Sequence, residues 1–171
     1  MSRKSNDRPA GPGRQALIAD VGRATQTFQR STDAFDDAVA QQLGLNRTDL
    51  RCLDWLFDGS RTASQLAAAT GLSSAATTTL VDRLERRGLV RRVRDTADRR
   101  KVLVEMTELG RRQTGEYYAP LAQEGARLLA QYTDAQLTAM RDHLLAATAL
   151  IDQHRARIRG DPGRVSRDDR S

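Results

Sequence analysis

The chain of 171 residues has few of the side chains that build disulfide frameworks and metal sites, and it has no long apolar run. It contains one cysteine, Cys52, and two histidines, so it can form no intrachain disulfide and offers few metal ligands. No run of about 18 apolar residues is present, which leaves no candidate for a membrane-spanning helix. The first residues lack the apolar core of a signal peptide, so we expect a soluble, cytoplasmic protein.

Lysine is also scarce, and arginine supplies almost all of the positive charge. The sequence has 28 basic and 22 acidic residues, a net charge of +6, and its only lysines are Lys4 and Lys101. A basic chain of this kind is suited to a polyanionic partner such as nucleic acid. Residues 1–14 and 159–171 are rich in Gly, Pro, Asp, Ser and Arg, and we predict that both are disordered tails.

Long helices are predicted towards both ends of the chain. Between residues 15 and 43, a near-heptad apolar stripe is typical of a helix that packs along another helix. Two further helices are predicted over 108–131, with a kink or break at Pro120, and over 134–157. Because these apolar seams need a partner from a second subunit, we assign 15–45 and 108–158 to a dimerisation region. The stripe of the first helix is formed by Leu17, Val21, Ala24, Phe28, Phe35 and Val39.

Residues 46–107 contain three short predicted helices in the order of a helix-turn-helix domain. Each helix follows a residue whose side chain can accept a hydrogen bond from the first helical turn, and Thr62 with Gln65 has the spacing of a capping box. Gly71, between the second and third helices, permits the positive φ of a tight turn. The helices with their capping residues are 47–57 with Asn46, 63–70 with Thr62, and 74–87 with Ser73.

A short basic hairpin is predicted after the third helix. Beyond Gly88 the spacing of apolar residues changes from about 3.6 to 2, which indicates strands near 90–94 and 102–106 joined by a polar turn. The predicted fold class is therefore mainly α with a small β-hairpin wing (α+β). We expect a winged helix-turn-helix DNA-binding domain over residues 46–107, with N- and C-terminal dimerisation helices on either side of it.

The third helix of this domain has small and hydroxyl-bearing side chains where a helix lying in a DNA major groove needs them. Short residues at its N-terminal end let the helix approach base edges, and the helix N-terminus favours a nearby phosphate. The alternative is that these serines and threonines only cap and solvate an ordinary helix. The predicted DNA-binding residues of this helix are Ser73, Ser74, Ala75, Thr77, Thr78, Thr79, Arg83 and Arg86.

Positive charge is concentrated in this helix and in the hairpin. From Ser73 to Lys101 there are nine cations against four acids, a net charge of +5 out of the chain's +6. Each cation placed on a phosphate releases counterions and strengthens binding at low salt. The hairpin tip is suited to inserting Arg99 into a narrow minor groove, with Asp98 orienting it through a bidentate ion pair. A solvated charged turn is the alternative. The predicted wing contacts are Arg94, Asp98, Arg99, Arg100 and Lys101.

The segment LSSAATTTLVDRLERRGLVRRVRDTADRRKVLVEMTELG, residues 72–110, resembles the MarR family of bacterial regulators. The resemblance rests on the LVDRLE-RRGLV helix end, the RD-x-x-DRR wing and the Met-Thr-x-x-Gly that follows. It implies that the helix after Ser73 reads the major groove, that Arg99 enters the minor groove and that Asp98 supports it. Two departures concern this helix: Thr77 stands where the family often has a buried valine, and Ala75 and Ala76 do not indicate an operator sequence.

The remaining reactive and aromatic side chains give weaker indications. Cys52 lies among apolar residues of a predicted helix, which favours a packed thiol over a redox sensor. His143 and His154 lie on one helix about 16 Å apart, so they cannot share a metal within one chain. A ligand pocket between the DNA-binding and helical lobes is predicted, with core packing of the same residues as the alternative. Its lining residues are Trp55, Phe57, Tyr117 and Tyr118.

The sequence predicts a DNA-binding transcriptional regulator, and no catalytic motif, metal site or cofactor site is indicated. We expect a homodimer that binds a palindromic double-stranded DNA operator, acts as a repressor and is released by a small-molecule effector. An architectural protein that binds any duplex and a winged helix that contacts only proteins are the alternatives. Competition between operator and random duplexes distinguishes an architectural protein from a sequence-specific regulator. An absence of duplex binding at low salt would favour a winged helix that contacts only proteins. The operator and the effector are not readable from the sequence.

Overall fold

The structure, a computed structural model, describes residues 12–160, so the predicted tails lie outside it except at their inner ends. The first helix begins at Pro12, before the predicted start at residue 15. Proline at the first helical position already has a helical φ and leaves no N–H without a partner. In chain order the elements are α1 (Pro12–Leu43), α2 (Arg47–Phe57), β1 (Arg61–Thr62), α3 (Ala63–Thr70), α4 (Ser74–Arg86), β2 (Val90–Arg94), β3 (Val102–Met106), α5 (Glu108–Leu129) and α6 (Asp134–Gly160).

The predicted capping residues start the three helices of the DNA-binding domain. The Asn46 side chain accepts a hydrogen bond of 2.8 Å from the backbone nitrogen of Asp49 at the start of α2. Thr62 and Gln65 exchange both hydrogen bonds of a capping box at the start of α3. Ser73 accepts a hydrogen bond of 3.2 Å from the first turn of α4. These caps confirm the predicted starts of α2, α3 and α4.

The turn between α3 and α4 depends on a residue in the left-handed region of backbone conformation. Gly71 has a φ of 77°, and its N–H donates a hydrogen bond of 2.9 Å to the carbonyl oxygen of Ala67. A residue with a Cβ would be strained in this conformation. The glycine therefore ends α3 and lets the chain turn into α4, as the sequence predicts.

The main core lies between the helix-turn-helix and the hairpin. Leu56, Leu66 and Leu84, from three different helices, have no exposed surface, and they pack with Val90 and Val104 of the sheet. Burial of one such leucine contributes about 1.5–3 kcal/mol relative to leaving it exposed. This core holds α4 and the base of the hairpin in one domain, which is what a combined groove-and-wing contact requires.

A second, smaller cluster joins α1 to α2. Val39 and Ala40 of α1 are buried against Leu50 of α2, and Tyr117 and Tyr118 of α5 pack on the same cluster. The predicted DNA-binding domain is therefore packed against the C-terminal end of α1 and the beginning of α5.

The hairpin belongs to a three-stranded antiparallel sheet with the order β1–β3–β2. The predicted strands β2 and β3 pair in register, with Val90 opposite Met106 and Arg94 opposite Val102. The third strand, β1, is only two residues long and pairs along the other edge of β3. Two residues are too few to show an alternating pattern, so β1 is not predictable from the sequence.

Residues from Ala119 onward form a second compact unit, which contains the rest of α5 and α6. Helix α5 continues through Pro120 without the break that a proline favours. Thr133 and Gln136 form a capping box before α6, and α6 ends at Gly160 rather than near residue 157. Within residues 12–160, no helix combines the length and the apolar character that a membrane span requires.

Candidate nucleic-acid interface

The outward face of α4 carries most of the predicted recognition residues. The exposed positions near its start are Ser73, Ser74, Ala75, Ala76, Thr78 and Thr79. The inward face packs on the core through Leu80, Val81 and Leu84, which are at most 2% exposed. The N-terminal half of α4 therefore presents only short side chains, as close approach to base edges requires.

Thr77 is an exception, and its predicted contact with DNA is wrong. The residue is 1% exposed, and its Oγ1 donates a hydrogen bond of 2.9 Å to the carbonyl oxygen of Ser73. It shares a helical face with Leu80 and Leu84, at steps of three and four residues, so it points into the core. The buried position agrees with the buried valine that is common there in the family that residues 72–110 resemble.

The exposed threonine hydroxyls of α4 are already hydrogen-bonded within the helix. Thr78 Oγ1 donates to the carbonyl oxygen of Ser74 at 3.0 Å, and Thr79 Oγ1 donates to that of Ala75 at 3.1 Å. Because these two donors are used in this way, the threonines present oxygen lone pairs and methyl groups to the outside. Such a surface can accept a hydrogen bond from an adenine or cytosine amino group, or contact a thymine methyl group.

Arg83 is bound to a buried carboxylate inside the protein, which does not agree with its predicted role as a DNA contact. Its guanidinium forms two hydrogen bonds with Asp49 of α2, one from Nε at 3.1 Å and one from Nη2. The side chain of Asp49 is 3% exposed, and that of Arg83 is 39% exposed. The hydrogen bond with Asp49 is the main cause that raises the pKa of Arg83. The arginine thus fixes α4 to α2 before any DNA is present.

Arg87, directly after α4, binds the end of α1. Its Nη1 and Nη2 each donate a hydrogen bond of 2.6 Å, to the carbonyl oxygens of Gly44 and Leu43. Helix α1 has no basic residue in its own last turn, so Arg87 supplies the positive charge that a helix C-terminus favours. Arg86, one residue earlier, is exposed and donates from Nε to the carbonyl oxygen of Asp82 at 3.3 Å. Of the two predicted arginine contacts on α4, Arg86 is the one left facing solvent.

The tip of the wing is shaped by local hydrogen bonds of Asp98. Its Oδ1 accepts a bond of 3.1 Å from the backbone N–H of Arg100, and its carbonyl oxygen accepts one of 2.8 Å from that of Lys101. Its Oδ2 lies 3.7 Å from Lys101 Nζ. Within residues 12–160 no ion pair joins Asp98 to Arg99, so the predicted bidentate pair is not formed. Asp98 instead folds the turn that presents Arg99 and Arg100 to solvent.

The positive charge of this region is partly neutralised inside the protein. Arg91 pairs with Glu105, directly opposite on β3, at 2.6 Å, and Arg92 pairs with Asp82 and Glu85 of α4. The net charge of +5 in the sequence therefore overstates what is available to DNA. Between residues 73 and 101, the basic side chains that form no ion pair or hydrogen bond within the described part of the chain are Arg94, Arg99 and Arg100.

Comparison with known proteins agrees with this geometry. A sequence model described as the MarR family matches residues 43–101. The uncharacterized HTH-type transcriptional regulator YcgE of Bacillus subtilis (strain 168) is 34% identical over 140 residues, which cover 80% of this chain and 91% of YcgE. The chain belongs to the MarR family.

Solved structures of similar proteins have the same fold. A MarR family protein from Bacillus stearothermophilus superposes with a TM-score of 0.61 at 23% identity, over 81% of this chain and 97% of that protein. CouR from Rhodococcus jostii RHA1, solved bound to p-coumaroyl-CoA, has a TM-score of 0.56 at 29% identity, over 78% of this chain and 94% of CouR. This MarR-family chain is thus a DNA-binding transcriptional regulator with a winged helix-turn-helix.

The Met-Thr-x-x-Gly segment of this MarR-family chain connects the wing to α5 by close packing. Thr107 caps α5: its Oγ1 accepts a hydrogen bond of 3.1 Å from the Gly110 nitrogen and donates one of 2.6 Å to the Gly88 carbonyl oxygen. A Cβ on Gly110 would overlap the carbonyl oxygen of Leu89 and lie 2.8 Å from Cγ of Met106. The glycine is required because the two backbones approach too closely for any side chain.

Cys52 lies in the main core rather than at a position suited to sensing oxidants. It has no exposed surface, and it packs with the leucines of α2, α3 and α4. Burial, with a smaller contribution from the charge of Asp49, raises the pKa of the Cys52 thiol to about 12. Since the thiolate is the reactive form, the structure agrees with the interpretation of Cys52 as a packed thiol.

We expect Cys52 to be unreactive towards iodoacetamide and Ellman's reagent in the native protein at pH 8. With a pKa near 12, about one thiol in ten thousand is ionised at that pH, and the side chain is also out of reach of the reagent. Mass spectrometry before and after unfolding in guanidinium measures the difference, with the unfolded chain as the positive control. Rapid labelling of the folded protein would contradict the buried position.

The four aromatic residues predicted to line a pocket do not form one cluster. Tyr117 and Tyr118 pack on the α1–α2 cluster, and the Tyr118 hydroxyl donates a hydrogen bond of 2.6 Å to Asp36. Burial first, and then this hydrogen bond, raises the pKa of Tyr118, so the hydroxyl remains a donor. Trp55 and Phe57 are 42% and 59% exposed on α2. Within residues 12–160 no group of three His, Cys, Asp or Glu side chains is arranged to hold a metal ion.

Proposed function

We propose that this chain is a cytoplasmic homodimeric repressor that binds a palindromic operator and is released from it by a small-molecule effector. The observation that carries the proposal is that one domain combines an exposed, hydroxyl-rich face of α4 with wing arginines that have no partner in the described residues. Short hydroxyl-bearing side chains suit base edges in the major groove, and free arginines suit phosphates and a narrow minor groove.

Exposed apolar side chains on the terminal helices support the homodimer. Single exposed apolar residues are ordinary, but long apolar stripes on the surface of one chain indicate an interface. A second copy that covers these stripes would remove them from water and place two DNA-binding domains side by side. On α1 the exposed residues are Leu17, Ile18, Val21 and Phe28, and on α6 they include Leu144, Leu145, Leu150 and Ile151.

Two-fold symmetry of the protein implies two-fold symmetry of the operator. Two copies of α4 related by a dyad meet successive major grooves when the half-sites lie about 34–36 Å apart, one turn of the duplex. Selection of bound duplexes from a random pool tests this directly, and we expect inverted half-sites with that spacing. A monomeric protein that enriches no sequence above background would overturn the proposal.

The proposed effector has a precedent in CouR, which was solved with p-coumaroyl-CoA bound. A ligand that binds the free dimer more tightly than the operator-bound dimer shifts the population away from the DNA-competent form. By linkage, the operator then weakens the affinity for the ligand by the same factor that the ligand weakens operator binding. Titration of a candidate ligand with and without operator measures both factors.

Replacing Arg99 with alanine should weaken operator binding by about 5- to 150-fold. The expected loss follows from the removal of an exposed guanidinium at the tip of the wing, where it has no structural partner within the described chain. Fluorescence anisotropy with the selected operator measures it at fixed salt concentration. Arg141→Ala removes a 65% exposed arginine from α6 and is the matched control, with an expected change of less than about twofold. Equal affinities of Arg99→Ala and the unmodified protein would refute the wing contact.

A further inference from the structure

Arg92 connects the wing to the recognition helix. Its Nη2 lies 2.6 Å from Oδ1 of Asp82, its Nη1 pairs with Oε2 of Glu85, and its backbone N–H donates to Oε1 of Glu85 at 3.1 Å. Asp82 and Glu85 are three residues apart on α4 and therefore lie on one face of the helix. One residue of β2 is thus held at three points by two carboxylates of α4.

The position of Arg92 along β2 is where the hairpin leaves the core. Alternate residues of a strand share a face, so Val90, Arg92 and Arg94 follow one another outward along the same side of β2. Val90 is 1% exposed, the Arg92 side chain is 33% exposed, and Arg94 is exposed. In the described chain, every hydrogen bond and ion pair of the residues between Val93 and Val102 lies within the hairpin. Arg92 is therefore the last residue of β2 before the wing tip whose side chain pairs with a residue outside the hairpin.

We propose that Arg92 is a positioning residue for DNA binding: it locks the wing to α4, so that the wing-tip arginines reach DNA at the same time as the helix. This inference rests on the proposed contact of Arg99 with DNA and goes beyond it. A wing that is already held in its bound orientation loses less conformational freedom when it binds, which favours the complex. Arg92 contributes in this way without contacting DNA itself.

The charges around Arg92 favour positioning over direct contact with a phosphate. Two carboxylates face one guanidinium, so a phosphate would have to displace acidic partners and enter a site with net negative charge. Asp82 and Glu85 lie in the C-terminal half of α4, where the helix dipole disfavours negative charge. The guanidinium of Arg92 offsets that unfavourable placement, and its hydrogen bond with Asp82 is the main cause that raises the pKa of Arg92.

A double-mutant cycle between Arg92 and Arg99 separates the two roles. If Arg92 acts through the wing, Arg92→Gln should weaken operator binding by about tenfold in the unmodified protein and by less than about twofold in the Arg99→Ala background. If Arg92 contacts a phosphate, its loss should be the same in both backgrounds and should weaken binding to random duplexes equally. That additive result would overturn the proposal. A negligible effect of Arg99→Ala alone would instead refute the underlying wing contact, so the two failures are distinguishable.

The acidic partners provide a second test that does not alter the arginine. Asp82→Asn with Glu85→Gln removes two negative charges from the DNA-binding domain, which by electrostatics alone should strengthen binding to every duplex. If the carboxylates hold Arg92 and the wing, the affinity ratio of operator to random duplex should fall by about tenfold, and the fall should vanish in the Arg99→Ala background. An unchanged ratio would overturn the proposal. Thermal unfolding of each variant at one protomer concentration shows whether it is folded before binding is compared.

Discussion

Replacing Gly110 with alanine should lower the free energy of unfolding by about 3 kcal/mol, at the upper end of overpacking effects. The added Cβ would overlap the carbonyl oxygen of Leu89 and approach Cγ of Met106. The methionine side chain can move, but the Leu89 oxygen is backbone, and it accepts a hydrogen bond of 3.0 Å from Thr107. Relief of the overlap therefore requires a shift of α5 relative to the backbone of Leu89, directly before β2. Thermal or urea unfolding at a fixed protomer concentration measures the loss.

Gly115→Ala is the matched control for this experiment. Gly115 lies on the same helix, five residues further on, and a Cβ there would meet no atom within 4 Å. Glycine in the middle of a helix costs about 0.5–1 kcal/mol relative to alanine, so this variant should be more stable than the unmodified protein. If Gly110→Ala lowers the free energy of unfolding and Gly115→Ala raises it, the close approach of the two backbones, and not helix propensity, is the reason for a glycine at position 110. A stabilised Gly110→Ala variant would contradict the close packing of α5 on the backbone of Leu89.

Local signals in the sequence were sufficient to predict most of the DNA-binding domain. The starts of α2, α3 and α4 follow from Asn46, Thr62 and Ser73, because a capping side chain acts within one turn of its own helix. The strands of the hairpin follow from the change of apolar period, which is also local. The short strand β1 has no such signal, because its pairing with β3 is made by the backbone of two residues.

The burial of Thr77 was predictable, although its hydroxyl suggests the outward face of α4. Thr77, Leu80 and Leu84 follow the three- and four-residue steps of a single helical face. Two leucines on that face indicate that it is the buried one. The hydroxyl is satisfied inside the helix by the carbonyl oxygen of Ser73, so it does not require solvent or DNA. For a threonine in a helix, periodicity is thus a better guide to burial than polarity.

The roles of the arginines were not predictable, because their partners are distant in the sequence. Arg83 and Asp49 are 34 residues apart, and Arg87 and Gly44 are 43 residues apart. A count of charges treats every arginine between Ser73 and Lys101 as available to DNA. The structure divides them into those that hold elements together, such as Arg83, Arg87 and Arg92, and those left free on the wing. Only the fold determines which arginine belongs to which group.

Replacing Arg83 with alanine should destabilise the protein by about 2 kcal/mol, even in the absence of DNA. The substitution leaves the carboxylate of Asp49 without its cation, and that side chain is only 3% exposed. The carboxylate of Asp49 would keep the long hydrogen bond of 3.4 Å that the backbone N–H of Asn46 donates to its Oδ2. Loss of one partner of a fully buried ion pair costs more, about 3–5 kcal/mol, but Arg83 is partly exposed, and water can enter the space it vacates.

Two further variants show whether the unpaired carboxylate causes this loss. Arg86→Ala, three residues later on the same helix, removes an exposed arginine and should change stability by less than about 0.5 kcal/mol. Adding Asp49→Asn to Arg83→Ala removes the buried charge while keeping a side-chain oxygen for the α2 cap, so the double variant should recover part of the stability. If Arg83 instead served DNA alone, Arg83→Ala would unfold like the unmodified protein and only its operator binding would weaken. The unfolding measurement therefore decides whether Arg83 supports the recognition helix from within or belongs to its DNA-contacting surface.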